Sequence, residues 1–221
     1  MPQFGITLPE SIQLQQPKFP ERTKLPWILT ALCQKIIKLN GTTTRGIFRI
    51  EAEKIGINTQ REYLSKWDCD KITSCHTAAC LLKQWLRELK EPLIPNHLYE
   101  EAIDVGQRTE EGESPEKTVT EFVGQMRVNY EPNYWALLYL VKFLRIFAAP
   151  KVAAQTGMND DNLATIFAPN VMRSPPNMEE DAVLLLTRIQ QQKRSMLSLI
   201  KWLEIDNGDG CTEFRKLNFC V

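Results

Sequence analysis

The chain has 221 residues, 43% apolar and 24% charged, which is typical of a globular protein long enough to bury a core. Lys plus Arg equals Asp plus Glu at 27 each, so overall charge favours neither nucleic acid nor an anionic membrane. Two histidines and six cysteines without a C-x-x-C pair argue against histidine catalysis and a zinc site. Scattered cysteines without a signal peptide predict a cytoplasmic protein. Charged residues interrupt the longest apolar run, so we expect no insertion into membranes.

The first 25 residues contain prolines at positions 2, 9, 17 and 20 and show little periodicity, which predicts an irregular lead-in over residues 1–25. A helix is expected to begin near Pro26, because proline is tolerated in a first turn. Apolar residues at 28, 29, 32, 36 and 37 fall on one face of this helix. Asn40-Gly41 is a typical C-terminal stop.

Apolar periodicity predicts seven further helices, at about 59–67, 76–89, 96–105, 115–127, 132–149, 159–168 and 178–205, the last in two pieces. The polar segment 106–118 is expected to be a surface loop. Pro169 is expected to end the helix before it, since proline lacks a backbone donor. No strand or repeat is evident, so we predict a single all-α domain of about eight helices over residues 26–205. A weakly patterned tail follows over residues 206–221.

Residues 41–50 read G-T-T-T-R-G-I-F-R-I and carry half of a phosphate-binding loop. The lysine and hydroxyl that would contact phosphates and Mg²⁺ are replaced by Ile47 and Phe48, and a helix rather than a strand precedes the loop. A nucleotide site of the chain's own is therefore rejected. The same stretch places two large apolar residues directly before Arg49. If both side chains are buried, they can anchor the loop that presents the arginine. From these ten residues alone, an arginine that caps a helix or pairs with a carboxylate is the favoured alternative.

Three segments of the sequence together favour a functional role for Arg49 over a capping or surface-pairing one. They read T-T-R-G-I-F-R-I at 43–50, C-L-L-K-Q-W-L-R-E-L-K-E-P-L-I-P at 80–95, and D-N-L-A-T-I-F-A-P-N-V-M-R-S at 161–174. In order and separation they resemble the signature blocks of the Rho-family GTPase-activating (RhoGAP) domain, over roughly residues 26–205. The segment from Leu25 to Arg49 is similar to the subfamily whose RhoGAP domain follows a MyTH4 domain.

The resemblance implies that Arg49 is an arginine finger, which enters the nucleotide site of a partner in trans. The implied partner is a Rho-family small GTPase in its GTP-bound form. The domain would then be an activator rather than an enzyme, with no cofactor or metal of its own, acting on GTP and Mg²⁺ held by the partner. We expect a monomeric domain, with recruitment to membrane or cytoskeleton through other parts of a longer protein.

The resemblance also assigns roles to four further residues. Lys83 and Asn170 would contact the GTPase, whereas Arg87 and Asn162 would support the arginine loop. From the residues alone, Lys83 and Arg87 are spaced i, i+4 and equally fit a solvated basic face. The two asparagines equally fit helix caps, although a helix end at Pro169 would leave the Asn170 amide free at a turn.

Two departures from the family pattern lie beside the finger. Arg45 stands where an acidic or small residue is common, and acidic residues at 51 and 53 follow the finger. A salt bridge between Arg45 and Glu51 would hold the loop weakly, at ~0–1 kcal/mol.

The alternative function is a catalytically weak module of the same fold that binds GTPases or scaffolds signalling proteins. No catalytic triad or carboxylate pair supports a stand-alone hydrolase.

Overall fold

The computed structural model describes residues 3–52, 56–174 and 182–205. These residues form ten α-helices and two short 3₁₀ turns, and contain no β-strand, which confirms the all-α class. The helices are α1 (Leu8–Gln15), α2 (Trp27–Lys38), α3 (Ile57–Ser65), α4 (Cys75–Glu88), α5 (Tyr99–Glu110), α6 (Pro115–Asn129), α7 (Glu131–Ala148), α8 (Pro150–Thr156), α9 (Asp160–Val171) and α10 (Ala182–Trp202).

Helix α1 lies in the segment that we expected to be irregular, and that prediction was wrong for residues 8–15. Thr7 and Glu10 form a capping box, in which Thr7 Oγ1 accepts from the Glu10 N–H at 3.2 Å and Glu10 Oε2 accepts from the Thr7 N–H at 2.7 Å. Pro9 stands in the first turn, where proline is tolerated. The buried Gln15 side chain donates to Leu25 O and accepts from the Trp27 N–H, so the segment is tied to α2.

Two other boundaries differ from the sequence prediction. Helix α5 continues to Glu110, so the connection to α6 is only four residues long rather than the polar loop predicted over 106–118. Arg108, in this extension, pairs with both Glu113 and Glu121 and stabilises the short connection. Helix α10 is continuous from Ala182 to Trp202, so it has no break within those residues. The predicted start at 178 and the tail at 206–221 lie outside the described residues.

The core forms around α7, whose buried residues face every direction around the helix. Helices α2, α4, α9 and α10 pack in succession, and α10 also packs on α5 and α7. The loop between α2 and α3 enters this core through Phe48, whose ring contacts Phe143 and Phe147 of α7 and Phe167 of α9. Among the described helices, none has the length and apolar character to cross a bilayer.

Candidate functional site

The loop that carries Arg49 is held by its backbone. The Gly46 N–H donates to Thr156 O, at the end of α8, at 2.7 Å. Gly46 O in turn accepts from the N–H groups of Arg49 at 3.0 Å and Ile50 at 2.9 Å. Gly46 has φ +71°, a left-handed conformation that favours glycine, and a Cβ added there would displace the flexible Ile50 side chain, whose nearest atom lies 2.7 Å away.

Two buried side chains anchor the same loop. Ile47 and Phe48 are both fully buried. Phe48 has φ +68°, a left-handed conformation that costs a bulky residue about 1–3 kcal/mol. Its ring lies 4.8 Å from Phe147, 5.2 Å from Phe167 and 6.0 Å from Phe143, all edge-on. Such packing offsets the backbone strain and fixes the residue that directly precedes Arg49.

Arg49 itself is exposed. Within the described part of the chain, its guanidinium has no hydrogen-bond or ion-pair partner. Among the described residues, the structure therefore combines an immobilised backbone with an unpaired, permanently charged side chain. Neither capping nor pairing with a described carboxylate accounts for Arg49.

Lys83 of α4 braces the loop from the other side. Its Nζ donates to Phe48 O at 2.5 Å. Burial lowers the pKa of Lys83, with Arg87 lowering it further and Cys80 and Glu51 opposing the shift. Arg87, one turn further along α4, has an exposed side chain, and its backbone carbonyl is what the structure engages. The structure thus brings the Lys83 side chain to the arginine loop and leaves that of Arg87 at the surface.

Asn170 lies in the last turn of α9, because the helix runs through Pro169 to Val171. We predicted that Pro169 would end the helix and leave the amide free at a turn, and both expectations were wrong. Asn170 is only 5% exposed, and its Nδ2 donates to Ile166 O at 2.6 Å. Its Oδ1 accepts no hydrogen bond from the described residues, so one side of the amide stays available.

Asn162 lies at the first turn of α9, behind the arginine loop. Its N–H donates to the N-cap residue Asn159, and its Nδ2 donates to Gly157 O at 3.0 Å. Gly157 follows Thr156, whose carbonyl receives the Gly46 N–H. Asn162 therefore acts on the arginine loop indirectly, through the Thr156–Gly157 turn. It also takes part in the N-terminal cap of α9, which was the alternative role predicted from the sequence.

Arg45 and Glu51 do not form the salt bridge that we considered. Both side chains are exposed, and none of the ion pairs between described residues joins them. Glu51 instead acts on Lys83, whose pKa its charge raises. Arg45 adds a second exposed cation four residues before the finger.

Sequence reasoning missed two residues that hold the site together. Thr156 supplies the carbonyl that receives Gly46, and only the following Gly157, at φ +71°, signals a helix end there. Arg173 lies in the third signature block, but the sequence predicted no role for it. Its Nη1 donates to Arg87 O and its Nη2 to Leu89 O, so it joins the chain after α9 to the end of α4. No grouping suited to a metal ion occurs among the residues that the structure describes.

Over the described residues, a helical domain that presents an exposed arginine from a loop held in its core is a candidate for a protein that completes another protein's catalytic site. The family model of the RhoGAP domain matches residues 26–176, and the chain belongs to that family. It is 30% identical over 200 residues to "GTPase activating protein homolog 2" of Dictyostelium discoideum, a match covering 90% of this chain and 21% of that protein. It is 31% identical over 205 residues to human "Rho GTPase-activating protein 25", covering 91% of this chain and 30% of that protein.

The fold agrees with this assignment. The structure of human Rho GTPase activating protein 15 superposes with a TM-score of 0.73, covering 89% of this chain and 88% of that one. At 19% identity, this likeness concerns the fold alone. The chain spans 21% to 30% of the length of the two curated relatives above.

Proposed function

We propose that this RhoGAP domain accelerates GTP hydrolysis by Rho-family small GTPases, and that Arg49 is the residue inserted into the partner's site. The observation that carries the proposal is the loop itself. Ile47 and Phe48 are fully buried, while the exposed Arg49 guanidinium has no partner among the residues that the structure describes. Family membership and the names of the relatives support the same activity and partner class.

The chemistry asked of Arg49 is electrostatic. Charge spreads over the γ-phosphoryl oxygens as the bond to the leaving oxygen breaks, and a planar guanidinium can donate to two of them at once. Such a donor is worth most where water is excluded and no reorganisation is needed at the moment of reaction. An arginine supplied in trans contributes roughly 10³–10⁵ in rate in GTPases.

The backbone of the loop reduces the entropic cost of that insertion. Fixing a residue's backbone costs about 1–2 kcal/mol, and here the cost is met within the free domain by the Gly46–Thr156 bond and the packing of Phe48. Lys83 adds a charge-assisted bond to Phe48 O. For the residue that enters the partner's site, docking therefore has to order the Arg49 side chain but not its backbone.

Lys83 and Asn170 are the proposed partner contacts. Lys83 uses one of its three donors on Phe48 O and keeps the others for the GTPase. Asn170 donates within α9 through Nδ2, so its Oδ1 is the atom that we assign to a partner N–H. The resemblance implies that Arg87 supports the loop; because its side chain is exposed one turn from Lys83, we assign it a contact with the partner's surface. Asn162 supports the loop through the Thr156–Gly157 turn.

The remaining parts of the proposal concern the form of the complex. The partner is engaged in its GTP-bound state, because GTP is the substrate of the hydrolysis, and acceleration further requires that the transition state is bound more tightly than this ground state. GTP and Mg²⁺ belong to the GTPase, so the domain acts as an activator with no catalytic site of its own. We further propose a monomeric domain of the MyTH4-associated subfamily, acting in the cytoplasm and recruited by other parts of a longer protein.

Single-turnover hydrolysis of GTP preloaded on Rho, Rac and Cdc42, with increasing amounts of the domain, tests this function. We expect at least one of the three GTPases to be accelerated in a saturable manner. Binding of a GTP-loaded GTPase without acceleration would replace the proposal with a non-catalytic module of the same fold. If the domain neither binds nor accelerates any of the three GTPases, the proposed partner class is contradicted.

A further inference from the structure

We propose that Arg173 is a positioning residue, which sets the end of α9 against the end of α4 and thereby holds Asn170 in register with Lys83 and Arg49. This inference rests on the proposed function. Lys83 belongs to α4, whereas Asn170 belongs to α9. A partner that contacts both at once therefore depends on how these two helix ends are placed relative to each other.

Arg173 joins the two helix ends directly. Its Nη1 donates to Arg87 O, in the last turn of α4, and its Nη2 donates to Leu89 O, the C-cap residue, at 2.5 Å. The last carbonyls of a helix have no partner within it, and a cation is favoured at that negative end. The two donors of one guanidinium thus satisfy two orphan carbonyls from a single side chain. Burial lowers the pKa of Arg173, which agrees with its being partly withdrawn from water.

The chain between Asn170 and Arg173 leaves little slack for the two ends to move independently. Helix α9 ends at Val171, and the Met172 N–H still bonds to Ala168 O at 3.0 Å. Val171 and Met172 are fully buried. Val171 O also accepts from the Ile94 N–H at 2.8 Å, so the segment after α4 holds the same stretch a second time.

Neighbouring helices fix the far side of the same segment. Ser174 Oγ and Tyr99 Oη share a hydrogen bond of 2.9 Å, and the Gln192 side chain donates to Tyr99 Oη at 2.9 Å. Helices α5 and α10 therefore hold Ser174, while Arg173 reaches to α4. Without the guanidinium, the Ile94 bond would remain, but the last carbonyls of α4 would lose their link to α9.

The chain supplies a matched control in Arg145. Its Nε donates to Ile200 O at 2.6 Å and its Nη2 to Leu203 O at 2.7 Å, at the end of α10. It is half-buried, and burial lowers its pKa as it does that of Arg173. Arg145 thus makes the same kind of two-carbonyl contact at a helix end that carries none of the proposed partner contacts. A general loss of helix-end bonding affects both arginines, whereas misplacement of Asn170 follows only from Arg173.

The test compares Arg173→Lys with Arg145→Lys in single-turnover hydrolysis, using whichever GTPase the wild-type domain accelerates. A lysine keeps the charge but lacks the fork. For Arg173→Lys we expect the half-saturating domain concentration to rise about tenfold and the maximal rate to stay within about twofold. For Arg145→Lys both should stay within about twofold, with thermal unfolding measured for each. If Arg173→Lys does not fold, Arg173→Gln takes its place.

A double variant separates positioning from simple destabilisation. If Arg173 acts through Asn170, then Arg173→Lys adds less than about twofold to the half-saturating concentration in an Asn170→Ala background. With wild-type acceleration intact, three results would overturn the inference. The effects of Arg173→Lys and Asn170→Ala on the half-saturating concentration could multiply in full, Arg145→Lys could raise it as much as Arg173→Lys does, or Arg173→Lys could leave it unchanged. A wild-type domain without acceleration would overturn the proposed function, and this inference with it.

Discussion

Arg49 and Arg61 lie in two segments that contact neighbouring faces of α4, and they are held in opposite ways. Arg61 has a fixed side chain: its guanidinium donates to both Glu88 oxygens at 2.8 and 2.7 Å and lies 4.1 Å from the Phe4 ring centre. Arg49 has a fixed backbone and no partner for its guanidinium within the described residues. An arginine that stabilises its own domain has its donors occupied, whereas one that serves another protein must keep them free.

The sharpest way to break this comparison is to substitute both arginines. We expect Arg49→Ala to lower the maximal single-turnover rate by about 10³ or more, and Arg49→Lys to recover little, because lysine lacks the planar fork. The free energy of unfolding of the Arg49→Ala domain should change by less than about 0.5 kcal/mol, since the Arg49 side chain is exposed. Arg61→Ala should do the reverse, lowering thermal stability while leaving acceleration intact. Equal loss of acceleration in the two variants would contradict the distinction.

Phe48→Ala tests the buried base on which Arg49 depends. Loss of the ring removes its contacts with Phe143, Phe147 and Phe167 and is expected to cost about 3–5 kcal/mol of unfolding free energy. Alanine keeps the Cβ, so the strain of the left-handed backbone remains and offsets none of this loss. Chemical denaturation of the wild-type and variant domains measures the difference. Phe122→Ala, in the buried face of α6, is a control for aromatic loss away from the loop. A Phe48 variant that is as stable as wild type would show that the loop is not anchored through this ring.

Lys83→Met separates the brace from general stability. Methionine fills a similar volume without charge, so the bond to Phe48 O and the partner contacts are lost together. A charged hydrogen bond to the partner contributes about 1.5–3 kcal/mol, so the loss of one such partner contact corresponds to a rate loss of roughly 10- to 150-fold. Stability should change little, because the burial that lowers the pKa of Lys83 also penalises its charge. Unchanged acceleration would remove Lys83 from the site.

Glu88→Gln has the smallest expected effect and probes the Arg61 side of α4. The pair is partly exposed, with 27% and 34% of the two side chains accessible, so we expect a loss of about 1 kcal/mol or less and no change in acceleration. Hydrogen bonds from Arg61 hold the pKa of Glu88 below its ordinary value. The stabilisation is therefore present above the unfolded pKa and is lost as pH falls through the folded one. The difference between wild type and variant should shrink on acidification, and a growing difference would contradict the assignment.

The residues that sequence could identify are those whose type and neighbours carry the signal locally. The apolar pair before Arg49 predicted a buried base, and the structure buries both residues. Sequence placed Lys83 and Arg87 on one face, but it could not tell which of them reaches Phe48 O, since that depends on how α4 packs against the loop. Pro169 was misjudged for a related reason. Proline removes one donor, and packing of α9 against α4 and α10 maintains the helix around that loss.

Arg173 and α1 illustrate two different limits. The role of Arg173 rests on carbonyls more than eighty residues earlier in the chain, a contact that no local pattern encodes. Helix α1, in contrast, was foreseeable. The Thr7–Glu10 capping box is a signal within the sequence, but the prediction rested on the prolines and the lack of periodicity and did not use it. The Arg173 contact depends on tertiary structure, whereas the capping box lies within four consecutive residues.

Binding to a transition-state mimic tests the central claim most directly, because it asks whether Arg49 acts only when the γ-phosphoryl charge develops. The responsive GTPase is loaded with GDP and mixed with the domain with and without aluminium fluoride, which stands in for the transferring group. We predict that aluminium fluoride tightens binding of the wild-type domain by about 10² or more and leaves binding of Arg49→Ala nearly unchanged. An Arg49→Ala domain that responds to aluminium fluoride as strongly as wild type would contradict the account.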